Sequence, residues 1–252
     1  KTQKSTTSQP KKSVGENGNH VEALPANRPI IIFIAGGPGC GKGTQCSKIV
    51  SEFGYHHIST GDILRAEVHS NGADAEELKN IMKSGHLVPS ELLVRLIRKK
   101  VKSMNVKRDV FLLDGFPRNL ENLEEWDRQL SKFAEVKFLL NFECSNETMT
   151  SRILERAKES SREDDNPDVI KTRIQVYHQE TEPVINKLKN QGKIICISVE
   201  TDPDTVYCTV KKELENHGLS KAVKKPVLDI TKQEEEKKAE EMHKKKEIAI
   251  KP

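Results

Sequence analysis

Nine consecutive residues carry the most specific chemistry in this chain: Gly36-Gly37-Pro38-Gly39-Cys40-Gly41-Lys42-Gly43-Thr44. They fit G-x-x-x-x-G-K, with a strand-like apolar run before them and a helix-like stretch after, the context in which this spacing binds phosphate. Glycines let the backbone curl so that several N–H groups point inward at phosphate oxygens. The start of the following helix adds positive potential, and Lys42 adds a full charge near the β- and γ-phosphates. A plain strand–helix turn would gain nothing from five glycines and a lysine. Residue 43 is Gly where Ser or Thr is usual, so no hydroxyl at that position can ligate magnesium directly.

A second group supplies what a phosphate acceptor needs. The run Val110–Asp114 leads into Gly115-Phe116-Pro117-Arg118-Asn119. An Asp at the carboxyl end of a buried strand lies where open α/β sheets bind ligands, and beside a triphosphate it would orient hydrated magnesium. The alternative for Asp114 is a turn cap. Arg65, Arg118, Arg152, Arg156, Arg162 and Arg173 are expected to face the same cleft. Arginine grips phosphate with a planar, permanently charged fork. Arg152 and Arg156 stand four apart on one helix face. Following a phosphate loop, such a set implies two phosphate-bearing substrates.

These residues need a scaffold that ends strands where helices begin. Short apolar runs, Ile30–Ala35, Tyr55–Ile58, Val110–Asp114, Val136–Phe142 and Lys193–Val199, mostly lack polar alternation, as strands buried on both faces do. Between them the spacing predicts helices over Lys42–Phe53, Gly61–Ser70, Ala75–Ser84, Ser90–Ser103, Leu120–Phe133, Asn146–Lys158, Asp168–Asn190 and Pro203–Asn216. The alternation predicts an α/β fold with a parallel sheet covered on both sides. Asn166-Pro167 reads as an N-cap and first-turn proline, Gly192 as a stop, and Pro183 as a kink.

The chain has 252 residues and a formal charge of +4. That charge belongs to the ends: +3 sits on residues 1–28 and +3 on 221–252, leaving about −2 on the middle. A basic nucleic-acid-binding face on the folded part is therefore not expected. Residues 1–28 read as a disordered basic arm. Residues 219–252 read as a charged tail, with a Lys/Glu-rich stretch Glu234 to Lys246 able to form a solvated helix. The mean hydropathy of −0.65 reflects these ends. No run reaches the roughly 18 apolar residues of a membrane span, and no basic-then-apolar leader is seen. The five cysteines, Cys40, Cys46, Cys144, Cys196 and Cys208, are scattered without a C-x-x-C pair. That argues against a disulfide framework or a structural zinc site and for a reducing compartment. The expected location is the cytoplasm, with the nucleus as alternative. His20, His56, His57, His69 and His178 read as ordinary surface or sheet-edge residues.

Five ordered motifs carry a resemblance. They are the loop at residues 36–44, Ser59-Thr60-Gly61-Asp62-Ile63-Leu64-Arg65, Leu87-Val88-Pro89, Asp114-Gly115-Phe116-Pro117-Arg118, and Arg162-Glu163-Asp164-Asp165-Asn166. Together they resemble the nucleoside monophosphate kinases, the adenylate kinase and UMP/CMP kinase superfamily, over about residues 29–217. The resemblance implies a P-loop NTPase fold with a five-stranded parallel sheet. The kinase domain would span 29–218, with a helical acceptor-binding part near 59–88 and a short lid near 156–166 that has no room for a zinc-binding insert. It implies reversible transfer of the ATP γ-phosphoryl group to a nucleoside monophosphate, with Mg2+ as cofactor and no zinc, in a monomeric core that binds neither nucleic acid nor membrane. Gly43 is usual in this family.

Carried over by position, the resemblance implies that Gly39, Cys40, Gly41, Lys42, Gly43 and Thr44 hold ATP phosphates while Arg152 and Arg156 flank the ATP. Arg65 and Arg118 grip the acceptor phosphate, with Thr60, Gly61, Gly115 and Phe116 around it, and Arg162 and Arg173 close on the transferring group. His86, Leu87 and Val88 line the acceptor base, and Asp114 holds magnesium through water. Lys42, Arg118, Arg156, Arg162 and Arg173 form the catalytic set. Ser161 stands where the family's lid usually has glycine, and Glu163 adds a negative charge beside Asp164 and Asp165.

On the acceptor base the residues point both ways. Asn122 resembles the UMP/CMP kinases, where a short amide reads a pyrimidine; Thr60 resembles the adenylate kinases, whose hydroxyl meets adenine. An amide offers both donor and acceptor. The balance favours UMP/CMP, with AMP as the alternative. A different class of reading, a kinase-shaped scaffold whose basic ends bind an acidic partner, is motivated by the tails.

Overall fold

The computed structural model describes residues 28–70, 75–104, 109–159 and 166–221. Five strands form one sheet in the order β2-β3-β1-β4-β5. They are β1 (Ile30–Gly36), β2 (His56–Ser59), β3 (Val110–Asp114), β4 (Glu135–Glu143) and β5 (Ile194–Ser198), and every pairing is parallel. The helices are α1 (Lys42–Phe53), α2 (Thr60–His69), α3 (Ala75–Ser84), α4 (Ser90–Ser103), α5 (Leu120–Leu130), α6 (Asn146–Glu159), α7 (Pro167–Val176), α8 (Glu182–Asn190) and α9 (Pro203–Asn216). This is the α/β parallel sheet expected from the strand–helix alternation, in the five-stranded P-loop form that the resemblance implied. No described helix is long and apolar enough to cross a membrane.

Strand β1 shows why the central strands read as continuous apolar runs. Ile31, Phe33 and Ala35 enter a core with residues of α2, α3, α4, α5 and α8, among them Leu64, Leu78, Ile97, Trp126 and Val184. Ile32 and Ile34 enter a second core on the other face with Cys46, Ile49 and Phe53 of α1 and Val206, Val210 and Leu214 of α9. Successive side chains alternate between faces, and both faces are dry, so no polar residue is tolerated at either parity. Burying each such side chain contributes roughly 1.5–3 kcal/mol.

Local chemistry sets the helix starts that bear on the cleft. The Ser59 hydroxyl accepts from the Asp62 N–H at 3.2 Å, Asn119 from Asn122 at 2.9 Å and Asn166 from Val169 at 3.1 Å. Each satisfies a donor that the first helical turn leaves unpaired. The expected helix Asp168–Asn190 is instead two helices, α7 and α8, joined by a π turn over Tyr177–Thr181. Pro183 has no N–H for the carbonyl of Gln179, and its ring would crowd that turn. One wider turn absorbs the defect, with the Glu182 N–H bonding back to the Tyr177 carbonyl.

The folded part extends slightly beyond its expected limits. Arg28, assigned to the arm, donates to the Ser131 carbonyl at 2.8 Å. Leu219 is buried, and the Tyr55 hydroxyl donates to the Ser220 carbonyl at 2.9 Å. The rest of the arm, the rest of the tail, and lid residues 160–165 with Arg162 lie outside the described residues.

Candidate active site

The carboxyl ends of β1 and β3 open into a cavity of about 890 Å³. Gly36 ends β1, and the loop after it delivers Lys42 as the first residue of α1. The Lys42 ammonium donates to the carbonyls of Gly36 and Gly37, each at 2.8 Å. The charge is therefore held over the loop rather than swinging freely. Gly39 has φ +80, and a Cβ there would stand 2.6 Å from the Met149 carbonyl and 2.8 Å from Ile153. Only glycine fits, which lets the loop lie against α6.

Lys42, Asp114, Arg65, Arg118, Arg152, Arg156 and Arg173 all line this one cavity. Gly39, Cys40, Gly41, Gly43 and Thr44 line it from the loop, and Gly61, Leu87 and Gly115 from the opposite side. Arg152 is steadied by a 2.8 Å bond to the Val199 carbonyl. Arg65 pairs with Asp62 one turn before it on α2. A cavity walled by one lysine and five arginines, which outnumber its carboxylates Asp62, Asp114, Glu200 and Asp202, suits a large polyanion with a metal ion beside it.

Arg118 is positioned by contacts far apart in sequence. Its Nε donates to the Gly115 carbonyl at 2.9 Å. Its N–H donates to Asn122 Oδ1 at 3.0 Å, and its carbonyl accepts from the Thr181 hydroxyl at 2.8 Å. Gly115 has φ +77, and a Cβ there would approach Thr60 Oγ1 at 2.9 Å, so only glycine lets these two loops touch.

Several expected base and phosphate contacts stand elsewhere. Asn122 is buried, with its Nδ2 donating to Ser90 Oγ at 2.7 Å and its Oδ1 taken by Arg118. It supports the arginine loop and does not line the cavity. Thr60 is fully buried, its hydroxyl shared between the carbonyls of Asp114 at 3.0 Å and Gly115 at 3.2 Å. Phe116 is a core ring packed on Phe33 and Trp126, Val88 is core, and His86 is exposed. Of residues 86–88 only Leu87 reaches the cavity.

Other lining residues were not apparent from the sequence. His57, read as ordinary, places Nε2 3.2 Å from Asp114 Oδ2. Tyr177 and Thr181 of the π turn line the cavity, as do Gln45 and the segment 199–203 after β5. Burial pushes the Tyr177 phenol up from its ordinary value of 10. Gln45 donates to the Pro203 carbonyl at 2.9 Å and keeps its oxygen buried without a protein partner. Only its position directly after the loop on α1 hinted at this placement.

The family model described as adenylate kinase matches residues 34–193, which spans the phosphate loop, the acceptor side and both arginine helices. The chain belongs to the adenylate kinase family. It is a nucleoside monophosphate kinase, a phosphotransferase. Among similar proteins, the UMP-CMP kinase of Danio rerio is 42% identical over 192 residues, covering 75% of this chain and 98% of that protein. The UMP-CMP kinase of Homo sapiens is 38% identical over 195 residues, covering 76% of this chain and all of that protein. Adenylate kinase isoenzyme 1 of Rattus norvegicus is 43% identical over 180 residues, covering 71% and 91%. Nucleoside monophosphate kinases of this family use ATP with Mg2+.

Proposed function

We propose that the protein transfers the γ-phosphoryl group of ATP to UMP or CMP, reversibly. The observation that carries the transfer is the convergence of Lys42, Asp114 and five arginines on one cavity at the strand ends. Lys42 and the amides of residues 39–44 hold the ATP phosphates, with Arg152 and Arg156 beside them. Arg65 and Arg118 hold the acceptor phosphate. Arg173, with Arg162, neutralises charge that spreads over the group in flight. In-line placement of two bound substrates supplies most of the rate gain. No covalent intermediate or general base is required.

Asp114 fits hydrated magnesium. It is the cavity-lining carboxylate that ends β3 beside the loop, with a side chain 12% exposed, and magnesium prefers to keep its waters. The ion supplies neutralisation of phosphate charge, while Asp114 orients its water shell.

The pyrimidine preference is supported by relatives named UMP-CMP kinase that match over essentially their whole length. It is further supported by Thr60, whose hydroxyl bonds backbone carbonyls and so is not offered to an adenine. AMP remains the second reading because adenylate kinase isoenzyme 1 matches at similar identity. Initial rates with AMP, UMP and CMP at matched concentration decide between them. UMP and CMP are expected to lead, and an AMP rate about tenfold higher would reverse the assignment.

A further inference from the structure

Three donor atoms of different kinds meet beneath the phosphate loop. The Cys46 sulfur, a His57 ring nitrogen and an Asp114 carboxylate oxygen all lie within 4.8 Å of one another. They come from α1, β2 and β3, and no stretch of sequence unites them. Parallel pairing aligns Ser59 with Asp114 and His57 with Leu112, which sets the imidazole two residues back along the neighbouring strand. Cys46 is fully buried behind the loop, whereas His57 and Asp114 line the cavity. The trio is thus closed by protein on one side and open to a small ligand on the other.

Three protein ligands with one open position, drawn from sulfur, imidazole and carboxylate, suit zinc or a cation of its class. Magnesium prefers oxygen alone. Tetrahedral zinc bonds would set the donors roughly 3.4 Å apart. The His57 and Asp114 side chains, 26% and 12% exposed, have room at the cavity edge to close that gap. The charges also balance. The thiol proton leaves to solvent when a Zn–S bond forms, and thiolate plus carboxylate neutralise the dication. The Lys42 ammonium over the loop then faces no added positive charge.

We propose that Cys46, His57 and Asp114 form an inhibitory site for zinc-class cations, which takes Asp114 away from the magnesium nucleotide. The site extends the kinase reading by giving the same carboxylate two mutually exclusive partners: a hard hydrated ion during turnover, or a soft ion that halts it.

The test uses the full chain with the exposed Cys196 and Cys208 changed to Ser, so that surface thiols do not compete. Cobalt(II) is added without substrate. A thiolate-to-cobalt charge-transfer band with tetrahedral visible absorption is expected, lost in Cys46→Ser and weakened in His57→Gln. Cys46 lies outside the cavity lining, so Cys46→Ser should retain the starting activity, with folding checked by thermal melting. With magnesium nucleotide saturating, zinc should inhibit the starting protein reversibly, a chelator should restore it, and Cys46→Ser should need at least about tenfold more zinc. Absence of the band, its survival in Cys46→Ser, or equal zinc sensitivity of the two proteins each overturns the proposal. Absence of phosphoryl transfer to any nucleoside monophosphate counts against the kinase reading alone, because the band is read without substrate.

Discussion

The two halves of the cavity are built by different means. On the side proposed for the donor, Lys42 is fixed by carbonyls five and six residues before it, within one short loop. On the acceptor side, Arg118 rests on Thr181, 63 residues away, and on Asn122, which is itself tied to Ser90, 32 residues away. The donor half therefore depends on local backbone geometry, and the acceptor half on packing between distant elements. The Asn122–Ser90 bond of the acceptor half is buried and the Arg118 bonds are part-buried, so breaking them leaves polar groups with little water to replace their partners. The donor half is held by part-buried bonds within one loop and loses charge rather than long-range packing when it is changed.

The largest effect that tests this contrast is Lys42→Met. Turnover should fall by about 10²-fold or more, with the urea unfolding midpoint almost unmoved, since the freed Gly36 and Gly37 carbonyls can bond water. A variant that lost its stability along with its activity would show that the lysine holds the loop together as well.

Asn122→Ala is expected to do the opposite. It leaves the Arg118 N–H without its acceptor and removes the buried bond to Ser90, whose hydroxyl keeps only its bond to Glu121, which should cost about 2 kcal/mol of stability in denaturant titrations. The KM for the nucleoside monophosphate should rise more than the KM for ATP, because Arg118 alone loses its support. Equal increases in both constants would erase the distinction between the halves.

The smallest effect lies away from the cavity. Glu52 on α1 accepts from Lys211 Nζ at 2.7 Å and Tyr207 Oη at 2.8 Å, and pairs with Lys221 at 3.0 Å. These bonds, Lys211 first, lower its carboxyl to about 2 from an ordinary 4.5. A carboxyl lowered on folding adds stability that is fully present above the unfolded value and is lost as pH falls from about 4.5 through about 2. Because the group is still partly open to solvent, which screens it, the gain is small. Melting temperatures of Glu52→Gln should lie slightly below wild type at pH 6 and converge with it near pH 2; parallel curves across that range would remove Glu52 from the acid response.

Much of the fold was legible because both parities of β1 and β3 are apolar, a pattern that only a doubly covered strand tolerates. The helix start at Asn166 was legible for a local reason: the cap and its target lie three residues apart. The π turn was not. Pro183 announced a defect in the helix, but whether the chain kinks or widens depends on what packs against Thr181. Asn122 misled because an amide's partners are chosen by its surroundings, and here Ser90 and Arg118 claim both ends.

The chain by itself determined the phosphate loop, the order of strands and helices, and the charge set available for two anionic substrates, since each follows from contacts within a few residues or from alternation along one strand. Which arginines meet, which amide supports them, and that Cys46, His57 and Asp114 share a corner were decided by tertiary structure alone. Those distances depend on the register between neighbouring strands and on helices docked across the sheet, and residue types or spacing along one chain carry no measure of either.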